Sequence, residues 1–268
     1  MISLYNIDCN VKMAEYPDKY FDLAIVDPPY GINAPNMQMG QSLSRKQNGY
    51  PSESTAVRLN KGRLNQGSGK LKNRLLNKSN IAWDNETPSK KYFDELMRIS
   101  CNQIIFGGNY FNLPPSRGIV CWDKLQPWKN FSQWEFAWTS FDCPAKMFRY
   151  SNTGGANVIE KTHPTEKPIA LYKWLLTEFA KPNYKVIDTH GGSFNSAIAA
   201  IDFDIAEFVG CEIDLIYYEA ALKKINMHML QFKINFEDTG GVKISGGKSP
   251  KTVSPENQCQ CHKSGGGV

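Results

Sequence analysis

Apolar residues along this chain follow two alternating rhythms. Short runs at 2–7, 21–26, 103–106, 118–122, 185–188 and 208–211 have the length and the β-branched and aromatic content of buried strands. Between them, at 89–100, 169–180 and 215–232, apolar residues recur three and four apart, as Tyr92, Phe93, Leu96 and Ile99 do, which predicts amphipathic helices. The alternation predicts an α/β fold, a mostly parallel sheet with helices on both faces. The stretch 134–150 is rich in aromatics and lacks helical spacing, so antiparallel strands or a hairpin are expected at one edge. Beyond Phe236 there is no aromatic residue, and Gly, Ser, Lys and Pro dominate, so 237–268 reads as a disordered tail and 1–236 as one domain.

Composition narrows the class. A chain of 268 residues that is 41% hydrophobic can bury one substantial core. It has no apolar run long enough for a membrane span, and the opening Met1-Ile2-Ser3-Leu4-Tyr5-Asn6 lacks signal-peptide order, so a cytoplasmic setting is expected. Seven cysteines, an odd number scattered mainly through apolar segments, suit reduced thiols. Cys259-Gln260-Cys261-His262 lacks structural zinc spacing, so no metal site is expected. The net charge of +5 is unevenly spread: between Gly31 and Asn80 nine basic residues face the single acid Glu53, leaving the rest of the chain at −3. Rich in Asn, Gln, Ser and Gly, this 31–80 stretch cannot build a core and reads as a basic insertion meeting a polyanion, or as a solvated loop.

The run 21–26 ends directly in Asp27-Pro28-Pro29-Tyr30. In a parallel α/β sheet, functional loops lie beyond the carboxyl ends of strands. Two consecutive prolines fix φ and remove two backbone donors, leaving carbonyls that only accept hydrogen bonds. With the Asp27 carboxylate beside them and the ring of Tyr30, they suit a planar base bearing an NH2 group: two acceptors for its hydrogens and a surface for stacking. Alone, the tetrapeptide also reads as a turn with its tyrosine packed in the core.

Two later stretches change that balance. His163-Pro164-Thr165-Glu166-Lys167-Pro168 precedes the apolar run from Ile169, with Pro168 suited to open a helix. Val186-Ile187-Asp188-Thr189-His190-Gly191-Gly192-Ser193-Phe194-Asn195-Ser196 is a strand, a glycine turn and a helix start, where backbone approaches a ligand closely and free N–H groups point outward. Glu212 closes the next strand, where a carboxylate can accept both ribose hydroxyls. A nicotinamide site would call for G-x-G-x-x-G, which is absent.

The tetrapeptide resembles the catalytic motif of the amino-methyltransferases of DNA, and the hexapeptide resembles the H-P-T-[QE]-K-P signature of their beta group. The glycine turn resembles their cofactor loop, usually D-P-F-x-G-S-G-T-T, with Thr189 and His190 in place of Pro-Phe and Phe194 where the last glycine is expected. Catalytic motif first and cofactor loop last is the permuted order of that group, and the likeness spans roughly 2–232. The resemblance implies a Rossmann-like methyltransferase fold with S-adenosylmethionine as cofactor and DNA as partner. It makes Asp27, Pro28, Pro29 and Tyr30 catalytic. It assigns Asp8 to the cofactor adenine, Lys167 to the methionine carboxylate, and Asp188, Gly191, Gly192, Ser193 and Glu212 to the rest of the cofactor site, with His163 structural. Arg45, Arg58, Arg63, Lys70, Lys72 and Arg74 become candidate phosphate contacts, and 141–162 a target-recognition segment. The stretches 105–111, 121–124 and 135–138 also resemble such enzymes and are expected in supporting roles.

The expected reaction is methylation of adenine N6 in DNA, family usage favouring adenine when the first motif residue is Asp. N4 of cytosine, an RNA substrate, and a non-catalytic DNA-binding partner subunit stay open. Cytosine C5 methylation needs a thiolate, usually in a Pro-Cys pair, and the chain offers only Cys143-Pro144.

Overall fold

The computed structural model describes residues 1–34, 83–125, 132–151 and 162–237, with side chains as far as 230. The basic stretch from 35 to 82, with its six candidate phosphate contacts, lies outside the described residues, as do 152–161 of the recognition segment and the tail from 238.

In chain order the strands are β1 (Ile2–Asn6), β2 (Phe21–Val26), β3 (Ser100–Phe106), β4 (Ile119–Asp123), β5 (Trp134–Thr139), β6 (Lys146–Arg149), β7 (Lys185–Asp188) and β8 (Glu207–Glu212). The helices are α1 (Cys9–Met13), α2 (Lys90–Ile99), α3 (Ile169–Phe179), α4 (Asn195–Asp202) and α5 (Leu215–Glu237). All the strands join one sheet of order β1-β8-β7-β2-β3-β5-β4-β6. From β1 to β3 every pairing is parallel, whereas β5 runs antiparallel to both of its neighbours.

Alternation along the central strands feeds two cores. Leu23, Ile25, Ile104, Phe106, Val186 and Phe208 point to a core shared with α3, α4 and α5. Ala24, Val26, Ile105, Ile187, Val209 and Cys211 point to the other face, against α1 and α2. Burial on both faces is why these strands read as near-continuous apolar runs, each buried aliphatic side chain contributing about 1.5–3 kcal/mol.

Two elements differ from the sequence expectation. The aromatic segment was expected at an edge, yet β5 lies inside the sheet between β3 and β4, and only β6 is at the edge, parallel to β4. The reason is on β5 itself: Ala137 joins one core and Trp138 the other, so both faces need cover. Helix α1, five residues long, is too short for periodicity to reveal; Asp8 starts it by accepting the Asn10 N–H at 2.7 Å.

The crossover after β7 runs through α4 on one face, and the segment returning from β2 to β3 ends in α2 on the other. The adjacent, parallel strands β7 and β2 therefore flank a point where the winding reverses, and a crevice opens beyond their carboxyl ends. Among the described residues no helix is long and apolar enough to cross a membrane, and the five cysteines there are free thiols.

Candidate active site

A cleft of about 1000 Å³ occupies this crevice, and both sequence motifs line it, Asp27 to Tyr30 from β2 and His190 to Ser193 from β7. The hexapeptide closes one side, and Glu212 with Asp214 stands at the end of β8. Because β5 is antiparallel, its amino end reaches the same rim: Trp134 lies opposite Asp123 of β4, which brings Glu135 and Lys124 to the cleft.

The tetrapeptide sits in a buried network of charges. Tyr30 Oη lies 2.6 Å from Asp27 Oδ1 and 2.6 Å from Glu135 Oε1. Lys167 Nζ bridges Asp27 Oδ2 at 2.5 Å and Glu135 Oε1 at 2.7 Å, and Lys124 Nζ holds Glu135 Oε2 at 2.8 Å. Burial pushes the Asp27 carboxyl above its ordinary range, the Lys167 ammonium pulls it down and the Glu135 charge pushes it up again, with a net rise. Burial pushes Glu135 the same way, but Lys167 and Lys124 outweigh it and hold that carboxyl well below the usual range. The phenol of Tyr30 is pushed far above 10 by burial and by both carboxylates, so it stays protonated. Its ring stacks on Tyr110 with centroids 5.0 Å apart and planes at 11°. The other neighbour is Gly107, at φ 70°, where a Cβ would stand 2.2 Å from the ring.

Asp84 anchors the backbone after the tetrapeptide. Its Oδ1 accepts the N–H groups of Tyr30 at 2.5 Å and Gly31 at 2.9 Å, and its Oδ2 accepts that of Ala34 at 2.9 Å. The carboxylate thereby joins the two described ends that flank 35–82.

In the hexapeptide Glu166 is a hub. Its Oε2 accepts the Thr162 N–H at 2.8 Å, and its Oε1 takes Asn195 Nδ2 at 2.9 Å and Lys224 Nζ at 2.7 Å, tying the loop to α4 and α5. The next residue, Lys167, is aimed into the cleft; the sequence reading put it beside the cofactor carboxylate, and here its ammonium lies between Asp27 and Glu135. The His163 ring packs edge-on against Tyr217 at 4.4 Å.

In the glycine turn Asp188 Oδ1 accepts the His190 N–H at 3.1 Å and Oδ2 accepts Ser196 Oγ at 2.5 Å. Among the described residues no ammonium compensates it, and burial pushes its carboxyl up to about 7. Burial also holds the His190 imidazole down to about 4, so it is neutral near pH 7. Glu212 Oε2 accepts the Gly192 N–H at 2.7 Å and Oε1 that of Asp214 at 2.8 Å. Asp214 Oδ2 is buried with no hydrogen-bond partner among the described residues. An unpaired buried acceptor costs about 1–3 kcal/mol, so this end of the cleft fits a ligand that brings a hydroxyl or ammonium donor.

The structure thus gathers Asp27, Pro28, Pro29, Tyr30, Lys167, Gly191, Gly192, Ser193 and Glu212 around one cleft. Asp188 lies just beneath, and Asp8 is exposed, engaged in capping α1 outside the cleft lining. Sequence reasoning placed Lys124 and Glu135 in stretches with supporting roles without giving either a part in the site, and it missed Asp84 and Asp214. The signal for the first two was the resemblance of 121–124 and 135–138, and the antiparallel pairing of β5 with β4 brings Glu135, near the amino end of its strand, beside the end of β4. Asp84 and Asp214 gave none, because their partners are backbone N–H groups.

The chain is similar to several known proteins. Residues 121–223 match the family model described as DNA methylase, N6_N4_Mtase. The Type II methyltransferase M2.MboI of Moraxella bovis is 20% identical over 253 residues, covering 83% of this chain and 86% of the relative. Among solved structures, the M1.HpyAVI-SAM complex matches at 16% identity and a TM-score of 0.46, covering 84% of this chain and 100% of its own. The cytosine-N4-specific PvuII DNA methyltransferase matches at 12% identity and 0.49, covering 82% and 85%. The family model spans β4 to α5, and over that stretch, as over the longer match to M2.MboI, the protein is similar to N6/N4 DNA methylases, with the tetrapeptide and the glycine turn facing one another across the cleft.

Proposed function

We propose that this protein transfers a methyl group from S-adenosylmethionine to N6 of adenine in DNA. The observation that carries the reading is the convergence of Asp27-Pro28-Pro29-Tyr30 and the Gly191-Gly192 turn, from adjacent parallel strands, on one cleft. The preference for adenine rests on Asp27 as the first motif residue.

S-adenosylmethionine supplies the methyl as a sulfonium, the C–S electron pair staying on sulfur as the N–C bond forms. Asp214 Oδ2 and Glu212 are the acceptors offered to its hydroxyl and ammonium donors, beside the glycine backbone. An exocyclic amine is a weak nucleophile because its lone pair is delocalised into the ring. Asp27 and the Pro28 carbonyl accept its two hydrogens, favouring a tetrahedral nitrogen, and the proton lost on methylation goes to Asp27. That nitrogen is out of reach inside a duplex, so the base must leave the stack; the paired rings of Tyr30 and Tyr110, the latter exposed, supply aromatic surface at the cleft. The basic residues of 31–80 are the proposed phosphate contacts. Neutralising Lys70, Lys72 and Arg74 together should weaken DNA binding and reduce its salt slope by about 2 to 3, and an unchanged slope removes that assignment.

Mass spectrometry of nucleosides from unmethylated DNA, treated with the protein and S-adenosylmethionine, tests the reaction. N6-methyladenine formed by the unmutated protein and not by Asp27→Ala is the expected result. N4-methylcytosine keeps the chemistry and changes the base. No product on DNA or RNA, together with no calorimetric heat on adding S-adenosylmethionine, replaces the reading with a non-catalytic DNA-binding subunit.

A further inference from the structure

Asp27 must accept a hydrogen of the target amine, yet both of its oxygens are engaged, Oδ1 by the Tyr30 hydroxyl and Oδ2 by the Lys167 ammonium. Each of these partners has a second carboxylate oxygen within reach, and it is the same atom, Glu135 Oε1, 2.6 Å from Tyr30 Oη and 2.7 Å from Lys167 Nζ. A phenol has one proton to donate, so Tyr30 serves Asp27 or Glu135 at any moment and never both. Lys124 fixes the other oxygen of Glu135, which keeps Oε1 turned toward the tyrosine and the lysine.

We propose that Glu135 is a positioning residue for Asp27: it accepts the hydrogen bond of the Tyr30 hydroxyl and shares the Lys167 ammonium, leaving Asp27 Oδ1 open to the target amine and to the proton the amine loses. The inference rests on the reading of Asp27 as the amine acceptor and adds the device that makes it available. Two carboxylates and two ammoniums balance in the network. Without the Glu135 charge, Lys167 would bear on Asp27 alone, tightening that pair and lowering the affinity of Asp27 for a proton. The proton step balances within the site: the amine N–H bond breaks, its electron pair stays on nitrogen, and the proton joins Asp27 while the Tyr30 O–H remains intact and directed at Glu135.

The groups facing Asp27 are Tyr30 in its own loop, Lys167 ahead of α3, Tyr172 on α3, Glu135 on β5 with Lys124 behind it, and Asp188 on β7. Both tyrosines stay protonated and Lys167 stays charged across the neutral range. Asp27 and Asp188 are left as the carboxyls whose titration shapes the acidic limb of the rate.

The test is the single-turnover rate of methyl transfer to unmethylated DNA by the full chain, followed from pH 5 to 9, with Asp188→Asn measured alongside to identify the limb that belongs to Asp188. Glu135→Gln is expected to slow transfer by about 10- to 100-fold at neutral pH and to move the Asp27 limb about one unit lower, with apparent affinities for DNA and cofactor within twofold. Glu135→Asp, which keeps the charge, should lose rate but hold the limb in place. In a Tyr30→Phe background the further loss from Glu135→Gln should shrink, because the hydroxyl through which it acts is gone. An unmoved limb in Glu135→Gln, or losses that multiply fully in the double variant, overturn the inference and leave the function standing. If Glu135→Gln does not fold, a limb that moves in Glu135→Asp overturns it. An unmutated protein that makes no methylated product overturns both readings.

Discussion

Two aspartates end adjacent parallel strands at the same cleft, and they are kept in opposite ways. Asp27, after β2, has an ammonium in contact and a second carboxylate sharing it. Asp188, closing β7, is wholly buried and receives only a serine hydroxyl and a backbone N–H. Burial raises both, but at Asp27 the Lys167 ammonium offsets part of the rise and the Glu135 charge adds to it, whereas Asp188, with no such partner among the described residues, is carried up to about 7 by burial. The comparison teaches that one crevice can hold a carboxyl tuned by neighbouring charges and one tuned by burial a strand apart, because the neighbours differ rather than the residue.

The hardest test of the first half of that contrast is Asp27→Ala. It should reduce single-turnover methyl transfer by about a thousandfold or more while leaving circular dichroism unchanged, since it removes the acceptor proposed for the amine. Retained activity would move the chemistry elsewhere in the cleft. The next largest effect is on stability. Lys167→Met leaves Asp27 without its ammonium and Glu135 with Lys124 alone, and removing one partner of a buried ion pair costs about 3–5 kcal/mol. A urea midpoint that hardly moves would show that the network is hydrated and that its charges do not depend on one another.

The second half of the contrast is sharpened by pH. The folded-state pKa of Asp188 is raised, from 3.8 to about 7, so between those values the native protein binds more protons there than the unfolded chain does. The stability this group contributes is therefore fully present below about pH 4 and is lost as pH rises through 7. Other buried carboxyls are shifted the other way: burial pushes Glu166 up, but Lys224 more than offsets it, so whole-protein stability mixes the two signs. The difference between the unmutated protein and Asp188→Asn isolates the aspartate. From pH 5 to 8 the unmutated protein should lose about 2–3 kcal/mol relative to the variant, measured by denaturant unfolding at each pH. A pH-independent difference would mean that Asp188 is ionised throughout.

The same two loops show what sequence alone could give. Strand runs, the helices at 89–100 and 169–180, and the meeting of the tetrapeptide with the glycine turn were all legible, because apolar periodicity and fixed-φ residues act locally. The interior place of β5 was not, since it depends on which faces the neighbouring elements cover. Nor was the turn of Lys167 toward Asp27, some 140 positions away in the chain, which depends on Glu166 being tied to Asn195 and Lys224 across α4 and α5. The stretch 135–138 stood out by resemblance, but the part Glu135 plays became visible only through strand register: an antiparallel β5 puts its amino end where the parallel strands put their carboxyl ends. Local chemistry was written in the motifs, while partnership between distant charges was not.

One departure from the family pattern separates the two loops once more. The prolines after Asp27 carry a φ that their own rings fix, whereas Phe194, standing where the glycine turn would ordinarily carry another glycine, is left-handed at φ 50° and ψ 36°. A side chain held there costs about 1–2 kcal/mol. The ring is fully buried, and it fills the space above two glycines: a Cβ on Gly191 would stand 2.0 Å from it and one on Gly210 2.4 Å. Phe194→Gly should relieve the backbone but empty that space, and since truncating a buried Phe costs about 3–5 kcal/mol, the net loss should be about 2 kcal/mol in a urea titration. A variant at least as stable as the unmutated protein would show that the backbone cost outweighs the packing, and that the ring is retained at this position for what it does to the glycine turn beside the cleft.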